Sequence, residues 1–127
     1  MRVFAPALMS VCFVFLAGSV ASAQSAREML QACELLQRGM HIEGKTIYIP
    51  PSAKVNQCWG FIEAVQEYSS LADQNGKTLL DACPGENSAT VDVLHEFVAY
   101  LQKHPEKLDL KAAAAAYNAM ADAFPCK

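Results

Sequence analysis

No arrangement of residues typical of an enzyme active site is present in this sequence. It has no G-x-S-x-G turn, no phosphate-binding glycine loop and no H-x-x-E-H or related pair of metal ligands. The three histidines, His41, His95 and His104, lie far apart in sequence, and the acidic residues are spread along what we expect to be solvated helix faces. The sequence therefore argues against an enzyme, and we predict neither a cofactor nor a metal ion.

A run of basic residues is also missing, and so is a second long apolar stretch after the N-terminus. The formal net charge of −3 becomes −4 once Arg2 is removed with the N-terminal segment. A mildly acidic chain of this kind is a poor candidate for binding nucleic acid or an anionic membrane surface. We therefore expect a partner other than nucleic acid or membrane.

The N-terminus is predicted to be a cleaved secretory signal peptide, residues 1–23. Arg2 supplies the basic start, residues 8–16 form an apolar run too short to span a membrane, and Ala21-Ser22-Ala23 has the small-residue pattern of a cleavage site. The alternative, an uncleaved anchor, is disfavoured by those small residues. Removal of 23 of the 127 residues leaves a single domain of 104, residues 24–127, which is near the lower size limit for a self-sufficient core.

Four cysteines remain after cleavage, Cys33, Cys58, Cys83 and Cys126. An even number in a small exported chain predicts two disulfides, with three possible connectivities. We favour Cys58 with Cys83 and Cys33 with Cys126, because ten extended residues before Cys83 reach about 33 Å, whereas a helix from Cys58 to residue 73 spans only about 22 Å. The absence of a C-x-x-C pair and of a histidine near any cysteine disfavours a metal site.

Apolar residues recur at helical spacing in four segments, which predicts an all-α fold. We expect a small bundle of about four helices with irregular loops, held by the two disulfides. The first helix should begin after Ser25, which starts an S-x-x-E capping box, and end at Gly39. The second, expected over residues 53–73, should be central, because Cys58 and Ile62 share its apolar face.

The third helix should begin after Asn87 or Ser88 and end before Pro105, and the fourth should be capped by Asp109 and end at Pro125. The alanine-rich start of the fourth helix should allow a close approach to another helix. The apolar stripes of the last three helices predict the core. Its expected members are Ile62, Val65, Leu94, Phe97, Val98, Leu101, Tyr117, Met120 and Phe124.

Two segments interrupt the helical pattern and are predicted to be irregular. In residues 40–52, the β-branched and aromatic run at 46–49 favours at most a very short strand without an extended partner, because Pro50 and Pro51 prevent a longer one. In residues 74–77, the sequence Gln-Asn-Gly-Lys is typical of a turn. Loops of this kind, held on a rigid scaffold, often carry function.

Several stretches taken together resemble the Rap/Tai-like family of immunity proteins against type VI secretion amidase effectors. They are Cys58-Trp59-Gly60-Phe61-Ile62, Ala82-Cys83-Pro84, the third helix with its His104-Pro105-Glu106, and Ala123-Phe124-Pro125-Cys126. The resemblance covers roughly residues 33–126. It implies a small periplasmic helical protein, often a homodimer, that binds a peptidoglycan-cleaving amidase and blocks its active site.

The residues that carry the resemblance are of a structural type, so we place the inhibitory surface on the loops. The candidates are Ile47, Tyr48 and Ile49 as apolar anchors in the first loop, and Asn75 in the second. Either loop would act by entering the active-site groove of the amidase. The alternative for the first loop is that its apolar residues only cover the core. The alternative function is a periplasmic stress protein or chaperone with a similar small disulfide-bonded helical fold.

Overall fold

The computed structural model describes residues 23–127, and the predicted signal peptide, residues 1–23, therefore falls almost entirely outside the described part of the chain. The described residues form four α-helices: α1 (Ala26–Gly39), α2 (Ala53–Ser69), α3 (Thr90–Lys103) and α4 (Ala112–Ala123). A hairpin of two short strands, β1 (His41–Glu43) and β2 (Thr46–Tyr48), joins α1 to α2, and a single 3-10 turn, Pro105–Lys107, lies between α3 and α4. The predicted all-α bundle is confirmed.

The first helix begins and ends where the sequence predicts. The Glu28 backbone N–H donates to the Ser25 hydroxyl at 3.3 Å, and the Ser25 N–H donates to the Glu28 carboxylate at 3.1 Å, so the capping box satisfies two free amides. The helix ends at Gly39, where a β-carbon would lie 2.6 Å from Cγ of Pro50. A side chain at position 39 would therefore clash with the segment that leads into α2.

The ends of α2 and α3 differ from the prediction by a few residues. α2 ends at Ser69 rather than at residue 73, because the Ser69 and Ser70 hydroxyls donate to carbonyls of the last turn and the chain turns away from the helix axis. α3 begins after Ala89 rather than after Asn87 or Ser88. The Asp92 carboxylate accepts the Ala89 N–H at 2.8 Å, which satisfies that amide without a capping hydroxyl.

Asp109 does not cap α4, and that prediction is wrong. The Ala112 N–H donates to the carbonyl of Gln24 at 2.9 Å, and the Ala26 N–H donates to the carbonyl of Leu110 at 2.8 Å. Because the chain segment before α1 satisfies the first amide of α4, no capping side chain is needed there. The Asp109 carboxylate instead pairs with the Arg27 guanidinium at 2.9 Å on the surface.

The segment between α1 and α2 is a hairpin, although its sequence predicts a short strand without a partner. β1 and β2 pair antiparallel with His41 opposite Tyr48, and the two rings stack with centroids 4.7 Å apart. Gly44, at φ +62°, takes the left-handed conformation that a tight reversal requires. The pairing was missed because the partner strand, His-Ile-Glu, has little β-branched or aromatic content.

The core lies between the four helices, and Phe97 is its largest buried side chain. Seven of the nine predicted core residues are buried, namely Ile62, Val65, Leu94, Phe97, Val98, Leu101 and Met120. Phe124 is only partly buried at the edge of the core, and the prediction for Tyr117 is wrong, because its side chain is 37% exposed. The expected close approach of α4 is confirmed by its buried alanines, Ala112, Ala115, Ala116 and Ala119.

Both predicted disulfides are present, but the pairing we favoured is wrong. Cys33 bonds Cys58 with Cα atoms 5.2 Å apart, and Cys83 bonds Cys126 with Cα atoms 4.9 Å apart. The segment before Cys83 is long enough to return to Cys58, but it pairs instead with the C-terminal segment: the Cys83 N–H donates to the carbonyl of Phe124 at 2.7 Å. Cys33 and Cys58 meet because both lie on the core faces of adjacent helices.

Candidate partner-binding surfaces

The hairpin presents one exposed aromatic and one exposed aliphatic side chain to solvent. Tyr48 is 45% exposed and Ile42 is 54% exposed, whereas Ile47 and Ile49 are less exposed because their side chains are half-buried. Ile49 packs against the core. Of the three apolar anchors predicted in this segment, Tyr48 is thus the one most available to a partner, while Ile49 fits the alternative of covering the core.

The second predicted loop is an ordered turn. The Asp73 carboxylate accepts the backbone N–H of Asn75 at 2.8 Å and of Lys77 at 2.9 Å, and Gly76 takes a left-handed φ of +78°. These two hydrogen bonds, with that of Lys77 the larger cause, lower the pKa of the Asp73 carboxyl below its ordinary value. The exposed side chain of Asn75 is therefore presented on a backbone held in one conformation.

The two predicted loops do not meet. The hairpin precedes the first residue of α2, and Asn75 follows its last turn. A helix of 17 residues separates the two loops by about 25 Å. One narrow groove in a partner therefore cannot receive Tyr48 and Asn75 together.

A third surface, which the sequence analysis missed, is an apolar groove between α2 and α4. These two helices each pack against α1 and α3 but hardly touch each other, and the space between them is a groove of about 290 Å³. Its lining is almost wholly apolar. The lining residues are Phe61, Ala64, Val65, Tyr68, Leu80, Ala113, Ala116 and Tyr117.

One sequence signal could have revealed this surface. Asp122 is the only charged residue in α4, and the positions where an exposed helix normally carries Lys or Glu hold Ala113, Ala114 and Tyr117. The helical spacing of Tyr117 instead predicts a core position for it. An exposed helix face without charges indicates a surface that another part of the protein or a binding partner covers.

Tyr117, which lines the groove, belongs to a network of three polar side chains. The Tyr117 hydroxyl donates to the Asp81 carboxylate, and the Lys77 ammonium pairs with the same carboxylate at 3.0 Å. The hydrogen bond from Tyr117, followed by that from Lys77, lowers the pKa of the Asp81 carboxyl. The same bond raises the pKa of the Tyr117 phenol. Asp81 itself has a left-handed φ of +47°, a conformation that aspartate tolerates better than most residues.

None of these three surfaces has the chemistry of an active site. Among residues 23–127, no group of three or more His, Cys, Asp or Glu side chains is placed to hold a metal ion. No helix within the same range is both long enough and apolar enough to cross a membrane. The hairpin and the groove offer apolar and aromatic side chains on a disulfide-bonded helical scaffold, which is typical of a protein that binds another protein.

The chain thus falls in the class of small helical binding domains, and comparison with known families makes the assignment specific. The family model of the Rap1a immunity proteins matches residues 25–126, nearly all of the described chain, and this protein belongs to that family. Comparison with curated proteins and with solved structures gives no significant match.

Membership in the family confirms the resemblance and the expectation of a non-enzymatic protein. It implies immunity toward a type VI secretion amidase effector, and hence a cognate toxin as partner. Rap1a immunity proteins are periplasmic, and the two disulfides fit such an oxidising compartment.

Proposed function

We propose that this protein is exported by cleavage of residues 1–23 and neutralises a peptidoglycan-cleaving amidase by occluding its active site. The observation that carries the proposal is the family match over residues 25–126. The inhibitory element is the β1–β2 hairpin, because it projects an aromatic and an aliphatic side chain, Tyr48 and Ile42, from the end of a rigid helix. Asn75, at the other end of α2, is the alternative position.

Two properties of the hairpin support this placement. Its turn is fixed by Gly44, and the Tyr48 ring is held by stacking on His41 with an interplanar angle of 7°. An aromatic side chain that is already ordered loses little conformational entropy when it binds. Ile49 packs against the core, and both Ile47 and Ile49 are partly buried, so they offer less surface to a partner than Tyr48 does.

The test is a titration of a purified type VI secretion amidase effector with the mature protein and its variants. Tyr48→Ala should weaken binding by about tenfold or more, the loss expected of an aromatic anchor. Tyr48→Phe keeps the ring and its stacking and should bind within about twofold of the parent, since the hydroxyl contributes little to an apolar contact. Thermal melting of each variant separates lost binding from lost folding.

Asn75→Ala, measured in the same way, decides between the two ends of α2. Loss of binding in Asn75→Ala together with normal binding of Tyr48→Ala would move the inhibitory surface to the second loop. If neither variant is impaired, both placements are wrong. If the parent protein binds no cell-wall amidase at all, the immunity proposal fails and the stress-protein alternative takes its place.

The proposal includes two further features. The mature protein begins at Gln24, which mass spectrometry of periplasmic material should show as the N-terminal residue. It also forms a homodimer, as the family resemblance implies, so sedimentation equilibrium of the mature protein should give twice the mass of one chain.

A further inference from the structure

The Cys83–Cys126 disulfide lies at the surface and is bordered by two cavities. It joins the segment before α3 to the segment after α4, and both cysteines are exposed. One cavity, of about 400 Å³, is lined by Cys83 but not by Cys126, and we call it the Cys83 cavity. The other, of about 560 Å³, is lined by both cysteines, and we call it the shared cavity. The two ends of the disulfide therefore have different surroundings.

The surroundings of Cys126 favour it as the sulfur that leaves when the bond is attacked. The Thr78 hydroxyl oxygen lies 3.8 Å from Sγ of Cys126, within hydrogen-bond distance for sulfur. If Cys126 becomes a thiolate, the hydroxyl is the donor of this pair, and a hydrogen bond to an ionised acceptor is stronger than one to a neutral acceptor. Lys77 and Asp81 also line the shared cavity, but they pair with each other at 3.0 Å, so the Asp81 charge is compensated there.

The geometry of thiol–disulfide exchange then selects Cys83 as the sulfur that is attacked. A thiolate attacks one sulfur of a disulfide and expels the other as a thiolate. It approaches from the side opposite the leaving sulfur, because the new bond forms in line with the bond that breaks. The Cys83 cavity offers space beside Cys83 that Cys126 does not border. The reverse attack, on Cys126, would forgo the Thr78 hydroxyl as a partner of the leaving sulfur.

The Cys83 cavity also selects the charge of the attacking thiol. Of the described residues that line it, Glu86 alone is charged, and the others are polar or small. An exposed carboxylate repels a second anion at short range, and salt screens this repulsion. The thiol that enters most readily is therefore one that carries no negative group besides its sulfur.

We infer that Cys83 is a thiolation site, at which a small thiol without a negative group displaces Cys126 and remains bound as a mixed disulfide. The S–S bond breaks as the bond from the thiol sulfur to Sγ of Cys83 forms, and the electron pair of the broken bond stays on Cys126. The thiol loses its proton to solvent, and one disulfide is exchanged for another without net oxidation. The inference goes beyond the proposed function and does not depend on it.

Backbone contacts that do not involve sulfur make this exchange reversible. The Cys83 N–H donates to the carbonyl of Phe124 at 2.7 Å, and Ala82 and Pro125 form an isolated antiparallel bridge. These contacts keep the two segments side by side after the disulfide opens. The Cys126 thiolate therefore stays close to Cys83, where it can attack the mixed disulfide, release the small thiol and restore the original bond.

Mass spectrometry after exposure to cysteamine, a small thiol with a cationic group, tests the direction of attack. Samples are quenched with acid soon after mixing and alkylated with a maleimide before digestion. We expect cysteamine on Cys83 and maleimide on Cys126 in the earliest samples that show any change. Cysteamine mainly on Cys126, or on neither cysteine, would overturn the inference.

Two substitutions of Thr78 test the role of its hydroxyl. Thr78→Val removes the hydroxyl at nearly constant shape, and it should slow the opening of the disulfide by cysteamine by about threefold or more, because the leaving thiolate loses a donor. Thr78→Ser keeps the hydroxyl and should react within about twofold of the parent. Equal rates in all three proteins would show that Thr78 does not assist the departure of Cys126.

A change of charge in the Cys83 cavity tests the route of entry without altering the disulfide or Thr78. At low salt, Glu86→Gln should speed attack by glutathione, an anionic thiol, by about twofold or more and leave attack by uncharged 2-mercaptoethanol unchanged. Glu96→Gln, the same change on α3 at a residue that lines neither cavity, should leave both rates as in the parent. If Glu86→Gln and Glu96→Gln behave alike with glutathione, the thiol does not enter through the Cys83 cavity. Binding of an amidase, measured separately, has no bearing on any of these outcomes.

Discussion

Gly39 and Pro50 approach so closely that no side chain fits between them: a β-carbon on Gly39 would lie 2.6 Å from Cγ of the proline. The proline ring is rigid and lies just before α2, so it cannot move aside without shifting the hairpin connection. We expect Gly39→Ala to lower the free energy of unfolding by about 1–3 kcal/mol, the usual cost of overpacking. Urea denaturation with an unchanged m-value measures it.

Gly60→Ala is the matched control for this prediction. Gly60 lies in the middle of α2, and a β-carbon there would have no atom within 4 Å. The substitution should stabilise the protein by about 0.5–1 kcal/mol, because alanine loses less backbone entropy than glycine in a helix. Equal effects of the two substitutions would show that the Pro50 segment yields to the new side chain.

Phe97→Ala should cost about 3–5 kcal/mol of unfolding free energy, the range found when a buried aromatic side chain is removed. Phe97 is 2% exposed within the core, whereas Phe124 is only partly buried and packs against the core from outside. Phe124→Ala is therefore expected to cost less, because its site can partly fill with water. The prediction fails if the two variants lose the same stability in denaturant titrations.

The two disulfides should differ in their reactivity toward a thiol reductant under native conditions. Cys33 and Cys58 are fully buried, whereas Cys83 and Cys126 are exposed. An attacking thiolate needs access to a sulfur atom, so the Cys83–Cys126 bond should be reduced first. Alkylation followed by peptide mass spectrometry should find label on Cys83 and Cys126 while Cys33–Cys58 remains intact, and simultaneous labelling of all four would contradict this order.

The network of Lys77, Asp81 and Tyr117 should make the stability of the fold depend on pH. The pKa of Asp81 lies below its ordinary value of 3.8 in the folded protein, so its contribution to stability is complete above that value and is lost as the pH falls through the lowered pKa. The pKa of Tyr117 lies above its ordinary value of 10.0. Its contribution is complete below pH 10.0 and is lost as the pH rises through the raised pKa.

Tyr117→Phe should therefore move the pKa of the Asp81 carboxyl upward, toward its ordinary value, because the largest cause of its depression is removed and only the pairing with Lys77 remains. NMR titration of the carboxyl carbon measures the shift. Tyr68→Phe, the same change on the α2 wall of the groove, should leave the Asp81 titration as it is in the parent. An unmoved Asp81 pKa in Tyr117→Phe would mean that the hydroxyl does not bind the carboxylate.

The helices and the core were predictable because their signals are local or periodic. The capping box at Ser25 and the stripe through Leu94, Phe97 and Leu101 need only neighbouring residues to be read. The disulfide pairing was not predictable, because it depends on which segments lie side by side, and contacts between residues far apart in sequence decide that. Cys83 lies beside Cys126 because its backbone N–H donates to the carbonyl of Phe124. Chain length shows only that a connection is possible.

For the candidate surfaces too, the sequence showed the local features but not how distant segments are placed relative to each other. The irregular character of the hairpin and of the turn at Asn75 was visible in the sequence, but their separation by the length of α2 was not. The groove was missed because Tyr117 has the spacing of a core residue, and helical spacing cannot distinguish a face that meets α3 from one that faces a gap beside α2. Only the scarcity of charge in α4 pointed to that gap.

The last helix is fastened at both ends to parts of the chain that come much earlier. Its first N–H is held by the carbonyl of Gln24, and Cys126, just after its end, closes the bond to Cys83. A chain delivered N-terminus first therefore presents both attachment points long before the element that joins them. A product that lacks Cys126 would keep a free thiol at Cys83, a chemical difference that a thiol-oxidising enzyme or an alkylating reagent can detect.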